Sequence, residues 1–256
     1  MRMSESIFFE HIPVIDSTNA ELSRRIAAGR LMSPICLSSD IQTAGRGRRG
    51  RSWLNTDGAL MLSLCLEAGE VPTKSLPLIS LAAALGVHDA VSRHLPCCAV
   101  KWPNDIVCAE GCEIEKLCGI LCELVCAPNG QRFAVIGMGL NVNCKEIPDG
   151  LRMPASSMHI KLGIDTDIEL LKKVIADSVL ARYDGLKNDP AHILTEYSKR
   201  CITLNRFVEA TDLEGTTVAK GFAKRILSDG RLLIEADEGG AAVDAADVSI
   251  SACLGS

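Results

Sequence analysis

The first amphipathic segment of the chain predicts a helix with recognisable ends. Leu22 and Ile26 are four residues apart and therefore lie on one helix face. Thr18 and Glu21 have the spacing of a capping box, and Gly29 follows where glycine commonly ends a helix. We therefore expect a helix that begins at Thr18, directly after an apolar stretch that predicts a strand.

Further along, short apolar runs alternate with longer segments of helical periodicity. The short runs predict strands at 34–39, 59–67, 99–101, 106–108, 116–125 and 132–143. The longer segments predict helices at 75–94, 167–186 and 190–200. Asn129 and Gly130 form a strong turn signal between the last two strands, which predicts a hairpin. This order of elements predicts an α+β domain over residues 1–203, with helices packed on one face of a mixed sheet.

The pattern changes after Leu204. Short runs predict strands at 206–209, 216–222, 231–235 and 241–243. The pairs Asp229-Gly230 and Gly239-Gly240 have the composition of the turns between them. We therefore expect residues 204–256 to form a small all-β domain of barrel-like form.

Composition and charge narrow the class of protein. Of the 256 residues, 47% are hydrophobic, and the formal net charge is -5. An acidic chain is not an obvious nucleic-acid binder as a whole, although its arginines are locally concentrated. The first ten residues lack the apolar core of a secretory signal, and no stretch reaches the roughly 18 apolar residues of a membrane span. We expect a cytoplasmic protein without a membrane segment.

The 12 cysteines are scattered through apolar runs. Disulfides are rare in a reducing cytoplasm, so we expect free thiols that behave as small buried hydrophobes. Cys108 and Cys112 are four residues apart, as are Cys118 and Cys122. Structural zinc sites usually contain closer cysteine pairs or added histidines, so we expect no bound metal.

Residues 42–57 form a polar loop that is unusually long for a compact domain, which is typical of functional loops. Four arginines alternate with glycines between Gly45 and Ser52. Glycine lets the backbone approach a ligand closely, and the planar guanidinium of arginine matches carboxylates and phosphates. Taken alone, the segment fits a phosphate-binding loop and a solvated or nucleic-acid-binding basic loop equally well.

Two neighbouring segments carry further candidate chemistry. Residues 101–105, Lys-Trp-Pro-Asn-Asp, place polar side chains at the tip of a strand, although Trp102 alone is more typical of core packing. Lys116 opens a largely apolar strand, in which period two places Lys116, Cys118 and Ile120 on one face. Gly119 in the same strand would expose backbone hydrogen-bonding groups to a ligand.

Residues 136–143 contain a Gly-x-Gly pattern in a strand that ends in asparagines. A dinucleotide fingerprint would require a following helix and a third glycine, and both are lacking here. The segment therefore predicts a strand with room for close backbone approach.

Together these segments resemble the biotin–protein ligase family. Segments 45–53, 101–105, 116–123 and 136–143 occur in the family's order and approximate spacing, and the resemblance extends from about Asp16 to Asn143. It implies a class II synthetase-like catalytic domain that binds biotin and ATP over residues 1–203, followed by an SH3-like domain. It also implies that the protein forms biotinyl-5'-AMP and transfers biotin to a lysine of a biotin carboxyl carrier domain.

The resemblance implies roles for particular residues. Catalytic roles are implied for Lys116, Arg48, Arg49 and Asp105, the last as a candidate base in the transfer step. Biotin contacts are implied for Ser17, Thr18, Asn19, Gln42, Gly47, Arg48, Arg49, Lys116 and Gly119. Nucleotide contacts are implied for Arg46, Trp53, Asn104 and Asn141.

The resemblance also sets expectations about partners. ATP with Mg²⁺ and biotin enter as co-substrates, with no permanently bound cofactor, and an exposed sheet edge could pair two copies in a homodimer. Because the catalytic motifs begin at Asp16, we expect no N-terminal DNA-binding domain of the kind that some members carry. Cys118 stands where a small alanine is common, so we expect a slightly altered pocket wall.

Three alternatives remain open at this point. A lipoate–protein ligase would share the fold and the adenylate chemistry, and binding of biotin or lipoate would distinguish the two. A nucleic-acid-binding protein would use the arginine loop, but aromatic residues make up 4% of the chain, which leaves little for base stacking. A carrier-binding module without catalysis is disfavoured by Lys116 and by the Arg48-Arg49 pair.

Overall fold

The computed structural model describes residues 6–212, 214–236, 239–244 and 247–250. The helices are α1 (Thr18–Ala27), α2 (Ile79–Val91), α3 (Met158–Leu162), α4 (Ile168–Asn188) and α5 (Pro190–Arg200). The first nine strands are β1 (Phe8–His11), β2 (Val14–Ile15), β3 (Ile35–Ser39), β4 (Ile41–Gln42), β5 (Ala59–Glu67), β6 (Cys98–Lys101), β7 (Asp105–Glu110), β8 (Glu113–Cys126) and β9 (Arg132–Asn141). The last five are β10 (Phe207–Thr211), β11 (Thr217–Ile226), β12 (Leu232–Ala236), β13 (Gly239–Val243) and β14 (Asp247–Ile250).

A seven-stranded sheet in the order β1-β3-β5-β9-β8-β7-β6 forms the centre of the structure. The pair β1–β3 is parallel and the other pairs are antiparallel, so the predicted α+β class with a mixed sheet is confirmed. Helices α2, α4 and α5 cover one face. Helix α1 lies on the opposite face, which differs from the expectation that all helices share one side.

The contact between α2 and α4 is close because a glycine lies at the crossing. A Cβ atom on Gly86 would lie 2.5 Å from Cα of Val179, well inside van der Waals contact. Tyr183 on α4 donates a hydrogen bond from its hydroxyl to the backbone carbonyl of Glu67 (2.9 Å), which joins the helix to β5. The larger core of the molecule therefore lies between these helices and the sheet.

Helix α1 covers the other face through Leu22 and Ile26, which pack on Phe133 and Val135 of β9. Its N-cap is Ser17, whose hydroxyl accepts from the backbone N–H of Ala20 (3.4 Å). The predicted capping residue was wrong by one position.

The Thr18 hydroxyl is unavailable for capping because it bonds elsewhere. It lies 2.7 Å from the hydroxyl of Ser63 and 3.1 Å from Oε1 of Gln42. Thr18 is therefore the first residue of the helix rather than its cap, and its hydroxyl faces the sheet.

Strand β8 contains an irregularity that changes which side chains share a face. Cys118 pairs with Ile106, yet Lys116 pairs with the next residue of β7, so Leu117 is an extra residue in a β-bulge. The period-two prediction for Lys116 was therefore wrong. Lys116 lies on the face of Gly119, while Cys118 points into the main core.

The C-terminal strands form a separate antiparallel sheet in the order β13-β12-β11-β10-β14. The all-β character of this C-terminal region was predicted, but strand β14 was missed. In the part of the chain that the structure describes, β13 and β14 lie at the two edges, so closure of a barrel stays a prediction.

Two contacts join this sheet to the segment 101–105. The indole N–H of Trp102 donates to the carbonyl of Gly230 (3.0 Å), and the buried Lys101 ammonium donates to the carbonyl of Val248 (2.6 Å). The segment 101–105 therefore carries the docking of the C-terminal sheet as well as cavity residues.

The expectation that all cysteines are free thiols was wrong for Cys97 and Cys108, which form a disulfide across the hairpin of β6 and β7. The hairpin brings their Cα atoms to 5.2 Å. Glu110 lies beside them, but disulfide sulfurs are not the thiolates that bind metal ions. Burial raises the pKa of the Cys36, Cys65 and Cys98 thiols to about 12, as expected for core cysteines.

None of the described helices combines the length and the apolar character that crossing a membrane requires.

Candidate active site

A cavity of about 460 Å³ lies on the α1 face of the central sheet. It gathers residues from all four sequence segments and from the start of α1. Of the residues singled out in the sequence, these line it: Ser17, Thr18, Asn19, Gln42, Arg46, Gly47, Arg48, Trp53, Asn104, Asp105, Lys116, Gly119 and Asn141.

The cavity exists because side chains become smaller along one face of β9. Phe133 and Val135 fill the space under α1, whereas Gly137 and Gly139, next on the same face, leave it open. A Cβ on Gly137 would lie 2.4 Å from Oδ1 of Asn19. A Cβ on Gly139 would lie 2.3 Å from the indole of Trp53.

Gly119 of β8 is paired in register with Gly139, and the Trp53 indole lies against both. The two glycines therefore form a flat floor on which an aromatic ring can rest. This explains why the strands 116–123 and 136–143 both require glycine at this level of the sheet.

A cation and a carboxylate meet beside this floor. The ammonium of Lys116 lies 2.7 Å from Oδ1 of Asp105 and 5.6 Å from the centre of the Trp53 ring. Both side chains are largely buried, with exposed fractions of 26% and 16%. The bulge in β8 is what aims the lysine at this point rather than into the core.

The arginine loop is a compact hairpin rather than an extended loop. Arg46 and Ser52 form an antiparallel bridge, and a 3-10 turn spans Arg48–Gly50. Arg49 adopts a left-handed conformation (φ 60°), which turns its side chain away from its neighbour's.

The loop arginines therefore have different partners. Arg48 donates to Oδ1 of Asn104 (2.9 Å) and lines the cavity. Arg49 donates to the carbonyl of Thr211 in the C-terminal sheet (3.2 Å), outside the described lining of the cavity. Arg51, which the sequence did not single out, lines the cavity instead.

Asn104 is held firmly at the cavity wall. Its amide donates to the carbonyl of Ile120 (2.7 Å) while its oxygen accepts from Arg48. Asn141, by contrast, donates to the carbonyl of Ser156 (3.0 Å) and so fixes the segment that follows β9.

At the start of α1 the cavity wall is polar. The backbone N–H of Thr18 donates to Oε1 of Gln42 (2.8 Å), which leaves the amide nitrogen of Gln42 as a donor. The hydroxyls of Ser17 and Thr18 lie in the same wall. This part of the cavity can therefore accept from and donate to a polar ligand group.

Asn19 is tied into a network that the sequence did not reveal. Its amide nitrogen donates to Oε2 of Glu123 (2.8 Å), and its oxygen accepts from the hydroxyl of Ser63 (2.6 Å). Glu123 also accepts from Arg46 of the loop (3.2 Å). The period-two pattern of β5 could have placed Ser63 on this face, since it is the one polar residue inside an otherwise apolar run.

A second missed segment closes another side of the cavity. Residues 147–155 lie against it through Ile147, Pro148, Leu151, Arg152, Met153 and Ala155. The segment is held because Lys116 donates its backbone N–H to Pro154 (2.8 Å) and accepts one from Ser156 (3.0 Å). Its irregular backbone has no periodicity that a sequence could signal.

The chain is similar to known ligases. A model of the biotin/lipoate A/B protein ligase family matches residues 11–143. The biotin--[acetyl-CoA-carboxylase] ligase of Mycobacterium tuberculosis is 34% identical over 238 residues, a match covering 91% of this chain and 85% of that protein. The bifunctional ligase/repressor BirA of Escherichia coli is 32% identical over 231 residues, covering 88% and 68%.

A solved structure shares the fold over nearly the whole chain. The biotin protein ligase from Aquifex aeolicus in complex with biotin and ATP matches with a TM-score of 0.80 and 23% identity, covering 96% of this chain and 99% of that one. The family match spans the segments from which the cavity is built. The chain therefore belongs to the biotin/lipoate A/B protein ligase family.

Proposed function

We propose that this protein is a biotin–protein ligase, which joins biotin to ATP as biotinyl-5'-AMP and then transfers the biotinyl group to a lysine of a carrier domain. One observation carries the proposal: a single cavity combines a paired donor and acceptor, at Gln42 and Thr18, with the cations Lys116 and Arg48. The relatives from Mycobacterium tuberculosis and Aquifex aeolicus support biotin and ATP as the substrates.

The polar wall suits the ureido group of biotin. A cyclic urea offers two N–H donors beside a carbonyl acceptor. The amide nitrogen of Gln42 can donate to that carbonyl, and the hydroxyls of Ser17 and Thr18 can accept from the N–H groups. The dithiolane ring of lipoate has neither kind of group, so this wall favours biotin.

The cationic part suits the first half-reaction, in which the biotin carboxylate attacks the α-phosphate of ATP. Two unit charges about 4 Å apart at an effective dielectric of about 20 repel by about 4 kcal/mol. Lys116 and Arg48 would offset that repulsion and stabilise the charge that develops on the departing pyrophosphate. The attacking group comes from biotin itself, so none of the cysteines needs to act as a nucleophile.

We assign Lys116 to the biotin carboxylate and the α-phosphate. The floor at Gly119 and Gly139 lies two residues along β9 from Gly137, beside which Asn19 sits, a distance of roughly 7 Å. An extended valerate chain would lead from the polar wall to the lysine over that floor once the Trp53 indole, which rests on the floor in this structure, has moved aside. The Trp53 indole would cover the chain or the nucleotide base.

A Mg²⁺ ion fits this site as a companion of ATP. Among the described residues that line the cavity, Asp105 provides the carboxylate. Magnesium bound to nucleotides commonly uses one or two protein carboxylates together with phosphate oxygens. The ion would supply further neutralisation of the triphosphate, and Asp105 or the phosphates alone would hold it.

In the second half-reaction the carrier lysine attacks the mixed anhydride. A free lysine amine is almost entirely protonated at pH 7, given an ordinary pKa of about 10.4. We propose Asp105 as the group that receives or positions this proton, and its ion pair with Lys116 would hold the carboxylate in place. The arginine loop would shield the anhydride from water until the carrier arrives.

We propose that the carrier is a biotin carboxyl carrier domain, because relatives at 34% and 30% identity are named biotin--[acetyl-CoA-carboxylase] ligases.

Pyrophosphate release from ATP tests the first half-reaction and the choice of substrate. We expect release that depends on biotin and is not supported by lipoate at the same concentration. Release with lipoate and none with biotin would overturn the assignment to biotin. Release in neither case, from a folded protein that melts cooperatively, would overturn the ligase function itself.

A further inference from the structure

One carboxylate outside the cavity lining connects two parts of the biotin site. Glu123 lies on β8, on the same face as Gly119 and Leu121. Its Oε2 atom accepts from the amide nitrogen of Asn19 (2.8 Å) and from a guanidinium nitrogen of Arg46 (3.2 Å). One oxygen therefore holds the first turn of α1 and the arginine loop together.

The carboxylate fixes which way round the Asn19 amide lies. An ionised carboxylate only accepts hydrogen bonds, so the amide nitrogen must face Glu123. The second amide proton is directed at the carbonyl of Leu121 (3.3 Å). The amide oxygen is thereby turned towards Ser63.

That orientation determines the direction of the next two hydrogen bonds. The hydroxyl of Ser63 must donate to the Asn19 oxygen (2.6 Å), which uses its one proton. Ser63 can then only accept from the Thr18 hydroxyl at 2.7 Å, and because this uses the one proton of Thr18, the 3.1 Å contact between Thr18 Oγ1 and Gln42 Oε1 carries no hydrogen bond in this arrangement. The lone pairs of Thr18 are left for the cavity, which the residue lines.

The residues of this hydrogen-bond chain are buried, so water does not compete for their hydrogen bonds and the direction of the bonds is maintained. Ser63, Thr18 and Asn19 are exposed by 0%, 3% and 3% respectively. Inside a protein, an unpaired polar group costs more than in water, and a chain of hydrogen bonds keeps a single direction more strongly. The fixed end of this chain is the Glu123 charge.

We propose that Glu123 is a positioning residue of the biotin site: its single carboxylate oxygen anchors the arginine loop through Arg46 and sets the direction of the Asn19–Ser63–Thr18 hydrogen-bond chain, so that Thr18 presents an acceptor to the substrate. The proposal rests on the proposed function for the identity of the substrate. The anchoring of the loop does not depend on it.

Two substitutions at Glu123 separate the two effects. Glu123→Gln keeps an oxygen that can accept from Asn19 but removes the charge that pairs with Arg46. Glu123→Leu removes both. Glu115→Gln is the matched control, because Glu115 also lies on β8 and pairs with a cation, Lys161, away from the cavity.

Limited tryptic digestion without any ligand measures the anchoring of the loop. The loop carries four arginines, so its cleavage rate reports how often it leaves the bridge to the sheet. We expect cleavage to be faster by about fivefold to tenfold in both Glu123 variants and unchanged in Glu115→Gln, with equal melting temperatures as the check on folding. Cleavage of both Glu123 variants at the wild-type rate would overturn the anchoring role, whatever the substrate proves to be.

The direction of the hydrogen-bond chain is tested by calorimetric titration. The affinity for biotin is compared with that for analogues in which either ureido N–H is replaced by methylene. In wild type we expect at least one methylene analogue to bind about tenfold more weakly than biotin. We expect Glu123→Leu and Ser63→Ala to lose most of that preference, whereas Glu123→Gln keeps it.

The outcomes separate this proposal from the proposed function. If wild-type protein does not bind biotin, the ligase function fails while the digestion still decides the anchoring. If biotin binds and Glu123→Leu keeps the full preference over both analogues, Glu123 does not set the hydrogen-bond direction, and that part of the proposal is wrong.

Discussion

At the scale of single residues, Lys116 depends on a detail of backbone pairing. The extra residue Leu117 in β8 turns the lysine towards Asp105 and the glycine floor. Without the bulge, the ammonium would point into the apolar core with Cys118, where an unpaired charge is strongly unfavourable. The bulge therefore belongs to the chemistry of the site as much as the lysine does.

Replacing Lys116 by methionine keeps most of the length of the side chain and removes its charge. We expect the rate of biotin-dependent pyrophosphate release to fall by about 10²–10³-fold, the usual effect of removing one group that stabilises transition-state charge. Lys161→Met, which breaks an ion pair with Glu115 away from the cavity, should leave the rate within about twofold. Equal rates for the two variants would show that Lys116 has no special role.

The carboxyl group beside the start of α1 predicts a pH effect on stability. The bidentate hydrogen bonds from Arg24 lower the pKa of Asp16 from 3.8 to about 2. A carboxyl whose pKa is lowered in the folded state stabilises the protein above its ordinary pKa and loses that contribution as the pH falls towards the folded value. Because both side chains are about half exposed, the contribution should stay below about 1 kcal/mol.

Urea unfolding of wild type and Asp16→Asn measures this contribution. We expect wild type to be the more stable above pH 4 and the difference to vanish as the pH falls from about 4 to about 2. If the stability difference between wild type and Asp16→Asn instead grew as the pH fell, the ion pair between Asp16 and Arg24 would not stabilise the folded protein in the way proposed.

The sequence motifs alone located most of the cavity, because each motif consists of residues that are neighbours in the sequence. Glu123 and Ser63 could not be assigned a role in this way, since their meaning comes from a contact with Asn19 more than 40 residues away along the chain. Arg49 was predicted to line the site, but its left-handed backbone directs it to Thr211. Its predicted contact with biotin stays a prediction.

At the scale of elements, β9 performs two tasks along one face. Its N-terminal half carries Phe133 and Val135 for the core under α1, and its C-terminal half carries Gly137 and Gly139 for the cavity. The same strand therefore supports the helix and leaves space beside it for a ligand.

Two alanine substitutions distinguish a glycine needed for the site from one needed for packing. A methyl group on Gly139 meets the ring of Trp53 at 2.3 Å, and the loop that carries Trp53 can move away. A methyl group on Gly86 meets the backbone of Val179 at 2.5 Å, and a buried helix backbone cannot yield cheaply.

We expect Gly139→Ala to reduce biotin-dependent activity by tenfold or more with little loss of stability. Gly86→Ala should lower the free energy of unfolding by about 1–3 kcal/mol through overpacking. Melting curves and pyrophosphate release are measured on both variants. A large loss of stability in Gly139→Ala together with a loss of activity alone in Gly86→Ala would contradict these roles.

Elements with a long periodic pattern were predicted well, and short ones only in part. Helix α5 was predicted over its observed range, and β5 likewise. Strand β1, strand β14 and helix α3, which are four or five residues long, were missed, whereas the equally short strand β6 was predicted from its apolar run. The bulge in β8 was missed because alternation in sequence carries no record of an unpaired residue.

At the scale of the whole molecule, the segment 101–105 joins the C-terminal sheet to the cavity. Lys101 and Trp102 donate to carbonyl groups of strand β14 and of the turn between β11 and β12, while Asn104 and Asp105 lie in the cavity wall. Val248 of β14 also lines the cavity. The change to short strand patterns after Leu204 predicted a division of the chain near residue 204. The long-range contacts could not be predicted, because their acceptors are backbone carbonyls, which every residue carries.

Replacing Trp102 by phenylalanine removes the indole N–H that donates to Gly230 and leaves a partly buried carbonyl without that partner. We expect the free energy of unfolding to fall by about 1–3 kcal/mol, within one shared transition for the whole chain. Trp53→Phe serves as the control, because that indole lies on a loop and should affect stability by less than about 0.5 kcal/mol. If the two variants lost the same free energy of unfolding, the hydrogen bond from Trp102 to Gly230 would have no special role in joining the C-terminal sheet to the catalytic domain.

The most direct test of the account is the intact mass of a biotin carboxyl carrier domain incubated with this protein, biotin and Mg-ATP. We expect the carrier to gain the mass of one biotinyl group, the gain to require ATP, and replacement of the carrier's acceptor lysine by arginine to abolish it. A carrier whose mass stays unchanged, while the same protein releases pyrophosphate with biotin, would contradict the transfer step. A carrier that gains a lipoyl group when lipoate replaces biotin in the mixture, and gains nothing with biotin, would contradict the proposed substrate.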